Sequence, residues 1–173
     1  FYPSLAYRVQ TSYTNAGDRS TAHYLLMNTG VRELNNALTL GWRKEQLTLE
    51  GLFSRYQNTT GLLPSGHLRS REGMQELLER GKPDLFRPFS REIGSPYHSV
   101  VHYLARLKGT WHDEHLGVFT LQTSLQRDRR EEFAIRRNSA YSEVPTLSLS
   151  LSSLQVSGSW RKHYHSWDSE VGL

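Results

Sequence analysis

The sequence contains no cysteine, which excludes a disulfide framework, a thiolate metal site and a cysteine nucleophile. Aliphatic residues are scarce: 36% of the chain is hydrophobic and the mean hydropathy is −0.62. No apolar run approaches the roughly 18 positions that a transmembrane helix needs. No signal-peptide pattern is present, and the first residue is Phe1 rather than Met, so the expectation is a processed start or a chain that begins mid-protein. Nucleophile-elbow, Walker and dinucleotide glycine motifs are missing. The adjacent Glu131 and Glu132 point to opposite sides of an extended backbone, which does not suit paired-carboxylate chemistry. Neither an enzyme nor a cofactor or metal is expected.

Aromatic residues, by contrast, reach 11%, with nine Tyr and four Trp. Few aliphatics with many aromatics do not suit disorder, which is aromatic-poor. They suit a wall with one apolar face, one polar face and aromatic girdles. The 21 Lys and Arg exceed the 17 Asp and Glu. That excess fits nucleic acid, anionic lipid or nothing specific, and nucleic acid is not the expected partner.

Alternation of period two recurs along the chain and predicts an all-β protein of antiparallel strands. Leu5, Tyr7, Val9 and Tyr13 alternate with Arg8, Gln10 and Ser12, and a turn follows at 15–19. A long segment runs from about Tyr24 to Arg43, with Asn28-Thr29-Gly30 read as a bulge. A tight connection at 44–46 leads into a strand from Leu47 to Tyr56. Between Asn58 and Pro96 the alternation stops, and there Arg71 to Arg80 reads as a short helix between Ser70 as N-cap and Gly81 as C′ residue. Alternation returns at Tyr97–Trp111, Leu116–Gln126 and from Leu147 towards Trp160, with turns at 112–115 and 162–166. Arg127 to Arg137 reads as a charged segment leading into a loop that ends at 145.

Turns at 44–46, 112–115 and 162–166 then fall at one end, and loops at 15–23, 58–96 and 127–145 at the other. Short turns on one rim and long loops on the opposite rim are the pattern of an outer-membrane barrel. A soluble β-sandwich or a lipocalin-like binding module also alternates. However, Tyr97 to Trp111 far exceeds the about five or six residues usual for a globular strand.

Three stretches resemble TonB-dependent outer-membrane receptors, especially those of Bacteroidetes-type bacteria. They are Asn28-Thr29-Gly30-Val31-Arg32-Glu33-Leu34; Phe53-Ser54-Arg55-Tyr56 continuing to Gly61-Leu62-Leu63-Pro64-Ser65-Gly66-His67; and Arg129-Arg130-Glu131-Glu132-Phe133-Ala134-Ile135-Arg136-Arg137 ending at Val144-Pro145-Thr146-Leu147. The resemblance implies a barrel of about 22 strands around a plug, in the outer membrane of a Gram-negative bacterium. It implies import of a scarce nutrient such as a ferric siderophore, haem or cobalamin. Residues 1–173 would supply about seven or eight of those strands, with the helix in an extracellular loop. The expected partners are the remaining barrel and plug, the TonB–ExbB–ExbD complex through a segment outside this chain, and outer-membrane lipid or lipopolysaccharide. A surface lipoprotein is a further candidate partner. An outer-membrane enzyme with a small barrel is a weaker alternative, since no nucleophile-and-base pair appears.

Candidate ligand contacts lie in the extracellular loops. Arg129, Arg130, Arg136 and Arg137 in the basic segment suit an anionic ligand, and His67, Arg69 and Arg71 in the long loop are placed to meet it. Local pairing or contact with lipopolysaccharide is the plainer role for these charges. Trp42, Trp111 and Trp160 fall near the short turns and read as membrane-interface girdle residues. His98 and His102 share one strand face but are too far apart to ligate one metal ion, for which i,i+2 spacing is better. His163 and His165 have that spacing but fall in a turn.

Overall fold

The computed structural model describes residues 4–64, 71–81, 88–135 and 144–173. In chain order its elements are β1 (Leu5–Ala16), β2 (Arg19–Ser20), β3 (Leu25–Leu26), β4 (Val31–Lys44), β5 (Leu47–Gly61) and α1 (Arg71–Arg80). They continue with β6 (Tyr97–Asp113), β7 (Gly117–Phe133), β8 (Leu147–Tyr164) and β9 (Trp167–Gly172). Seven strands form one antiparallel sheet in the order β1-β4-β5-β6-β7-β8-β9, and β2 and β3 form a separate two-stranded ribbon. The sheet is open: β1 and β9 are its edges. Because β9 pairs only with Ser159–Tyr164, most of the outer edge of β8 is also bare among the described residues.

Short connections join β4 to β5, β6 to β7 and β8 to β9 at one end, and longer ones join the others at the opposite end. The alternation of rims read from the sequence therefore holds. Each tight turn has a local cause. Glu45 takes a left-handed conformation at φ 50 between β4 and β5. The Asp113 carboxylate accepts hydrogen bonds from the His115 and Leu116 amides at 2.8 Å each, an Asx turn, and Gly117 supplies φ 94. Tyr164 and Trp167 stack at 4.1 Å across the last turn. The helix spans the expected residues, with Glu72 in its first turn, Arg80 in its last and Gly81 at φ 66 closing it. Ser70 lies outside the described residues.

Three expectations are corrected. Asn28-Thr29-Gly30 is no bulge: it is the corner between β3 and β4. Asn28 sits at φ 60, and its side chain donates to the Leu62 and Pro96 carbonyls (2.9 and 2.8 Å) and accepts from the Gly94 amide (2.8 Å). Nearby, the Asp18 carboxylate accepts from the Thr29 and Ser90 amides at 3.2 and 3.3 Å. Both residues are buried, so the two polar side chains clasp the first two long loops together. Next, β5 continues past Tyr56 to Gly61. Last, Arg127 to Phe133 is strand, paired on one side with β6 and on the other with β8. Arg129 and Arg130 are therefore not loop residues.

Candidate functional site

The sheet has no hydrophobic core: among the described residues only Phe133 is a buried hydrophobic, at 9% exposure. Register explains where the apolar side chains went. Residues directly opposite in an antiparallel pair share a face, so the pairings sort every strand residue onto one of two sides. Of the 28 exposed large hydrophobics among the described residues, 19 fall on one side. Successive rows across the sheet read Val9–Leu38–Phe53–Ala105–Leu125–Leu154 and Tyr7–Leu40–Gly51–Leu107–Thr123–Val156. Nearer the turns come Leu5–Trp42–Leu49–Gly109–Leu121–Gly158, then Leu47–Trp111–Phe119–Trp160–Val171.

The band drifts across the sheet. In β1 it reaches from Leu5 to Tyr13. The row of Tyr13 arrives in β8 at Ser150, four residues beyond Leu154, where the band there ends. At the other margin the band in β4 ends at Trp42, before Lys44; that row arrives at Gly158, and the band in β8 continues to Trp160, before Lys162, two residues on. Across the sheet towards β8 the band thus slides two to four residues towards the turns.

Trp42, Trp111 and Trp160 occupy the two most turnward of these four rows, on the apolar side. Trp111 packs on Phe119 with centroids 5.5 Å apart, and the Trp160 indole donates to the Leu116 carbonyl at 2.7 Å. The three indoles therefore share one margin, as their sequence positions suggest.

The opposite side is polar. Near the loop end Glu33 accepts from the Asn35 side chain at 2.6 Å and from Asn58 and Tyr56 across the ladder at 3.3 and 3.4 Å, while Asn35 also donates to Ser12. Sequence reasoning missed this network; the run of polar residues at 33, 35, 56 and 58 was its only signal. Two strands away Arg130 pairs with Glu132 at 2.9 Å, and His98 lies 3.7 Å from the same carboxylate. Leu147, Leu149 and Leu151 face this side too, opposite Glu132, Arg130 and Asp128. β8 has no bulge between Leu151 and Leu154, so its leucines change side where the Ser152-Ser153 step breaks the alternation.

The basic cluster expected at 129–137 is divided by the pleat. Arg129 is on the apolar side, bonded to Glu131 at 2.6 Å, and Arg130 is on the polar side, so the two cannot grip one ligand. His67, Arg69, Arg136 and Arg137 lie outside the described residues, and Arg71 opens α1. His98 and His102 both face the polar side, whereas His163 lies in β8 bonded to Asp168, across from it in β9. No group of three His, Asp or Glu among the described residues is placed to hold a metal ion. No family model, no curated protein and no solved structure matches the chain.

Proposed function

We propose that this sheet is a section of the wall of an outer-membrane β-barrel, and that the protein imports a scarce nutrient complex as TonB-dependent receptors do. The drift of the apolar band carries the proposal. Strands about 4.8 Å apart and tilted about 40° to a flat hydrocarbon slab meet it roughly 4 Å further along each neighbour, or just over one residue per strand. Over the five steps from β1 to β8 that amounts to about six residues, in the same direction as the two to four found in the register. A flat apolar patch made for another protein has no reason to drift in this way.

The height also fits. Trp111 and Tyr103 bound the band in β6, about 27 Å apart along the strand and about 21 Å along the normal at such a tilt. The bare edges at β1 and β8 take further strands of the wall, since hydrocarbon leaves no solvent for unpaired backbone groups. On the polar side, Arg130, His98 and the Glu33 network line the path of the ligand. A ferric siderophore, haem or cobalamin is the class of cargo, with a plug and the TonB–ExbB–ExbD complex supplying the gate and the energy. Uptake of these labelled complexes by nutrient-limited cells tests the proposal. Accumulation should need both the full-length protein and TonB, and equal uptake without either one overturns it.

A further inference from the structure

We propose that the loopward margin of the apolar face binds the phosphate of a membrane lipid, held by Arg55 and Arg127 above an alkyl groove. This rests on the membrane-wall reading above and goes beyond it.

The ionic residues of the sheet are unevenly divided. On the polar side six cations face six anions, and Lys108–Glu50, Arg130–Glu132 and Arg161–Glu170 pair within it. The apolar side carries six cations and only two anions, Asp113 and Glu131. None of these charges falls within the four apolar rows beyond the end residue Lys44; the cations bracket the band. At the turn margin they are lysines, Lys44 and Lys162, and at the loop margin they are arginines, Arg32, Arg55, Arg127 and Arg129.

Arg55, Tyr103 and Arg127 form one row across β5, β6 and β7. The two arginine backbones are two strand spacings apart, about 10 Å, a gap that two long side chains close onto one anion over the tyrosine ring. Arg55 already leans over that ring, 5.8 Å from its centroid, with one terminal nitrogen donating to Gln57 at 2.7 Å. Its buried Nε has no partner. Arg129 is compensated by Glu131, whereas among the described residues no ion pair or hydrogen bond engages the side chain of Arg127. Directly turnward lies an open groove of about 430 Å³ whose lining includes Phe53, Tyr103, Leu125, Leu154, Ser152 and Arg127. An apolar groove next to a row that carries two arginines matches an amphiphile with a phosphate head. Guanidinium binds phosphate through two parallel hydrogen bonds, which lysine cannot do.

The test uses the full-length protein in phosphatidylcholine nanodiscs doped with phosphatidic acid, with bound lipid counted by native mass spectrometry. Phosphatidic acid should be retained over diacylglycerol. The double substitution Arg55→Gln/Arg127→Gln should reduce its retention about tenfold or more, as expected for lost charge-assisted bonds. The Lys44→Gln variant should retain it fully, and inorganic phosphate should not displace it. Equal retention by the double variant overturns the proposal. Displacement by inorganic phosphate instead assigns the arginines to a soluble anion and overturns the lipid. Failure of the unsubstituted protein to enter bilayers at all is a different result and counts against the membrane wall itself. Arg55→Lys/Arg127→Lys guards against misfolding: it keeps the charge and should fall between the other two.

Discussion

Replacing Leu107 with arginine puts a guanidinium at the middle of the apolar band. Leu107 is 54% exposed and lies four positions from both Trp111 and Tyr103, about 14 Å along the strand in each direction. Its sequence neighbours Arg106 and Lys108 are already cations, but the pleat turns both to the polar side. A third cation here therefore differs from its neighbours only in the side it faces. On the lipid side of a barrel near the bilayer midplane, arginine costs about 2–4 kcal/mol, roughly 30- to 900-fold in the unfolding equilibrium. On a face open to water the same change stays within about 0.5 kcal/mol. Ser157→Arg, at similar height on the polar side of β8, is the control and should stay within about 0.5 kcal/mol. Guanidinium unfolding of the full-length protein from bilayers, followed by tryptophan fluorescence, reads both. Indistinguishable midpoints for the two variants would refute the assignment of sides.

Asn28→Asp replaces the amide that donates to Leu62 and Pro96 with an oxygen facing two carbonyls. The loss should be about 2–5 kcal/mol of local stability, seen as faster proteolysis at residues 88–96, and an unchanged cleavage rate removes the clasp. At the β6–β7 turn, the Leu116 amide first and the His115 amide second hold the Asp113 carboxyl below its ordinary value. Stabilisation from that group is complete above its unfolded pKa and is lost as pH falls through the lower folded value. Asp113→Ala should therefore lower the thermal midpoint at neutral pH and do so progressively less towards strong acid, whereas a pH-independent difference contradicts the assignment.

The strands crossing the band were legible because one face is mostly apolar and the other mostly polar, as in Tyr97–Trp111. The helix was legible from Gly81 and the change of period. Legibility failed where neighbours distant in sequence decide the conformation. Asn28 adopts φ 60 because Leu62, Gly94 and Pro96 surround it, none of them local. Arg127 to Phe133 looked like a loop because this part of β7 lies beyond the band, where both faces are polar. Its charges pair at i,i+2 along the strand, Arg129 with Glu131 and Arg130 with Glu132, which hydropathy alternation does not register. The same cause hid the charge asymmetry of the two faces: it exists only once register places Arg55 and Arg127 in one row.

With no cysteine in this sequence, an introduced cysteine is unique within residues 1–173, and β6 is the strand on which to use single-cysteine spin labelling. Labels at positions 103, 105 and 107 should collide with oxygen dissolved in lipid and be shielded from a water-soluble nickel chelate. Labels at 104, 106 and 108 should show the reverse, with oxygen accessibility peaking near 107. Equal access of the nickel chelate to all six positions would contradict a sheet that divides hydrocarbon from water.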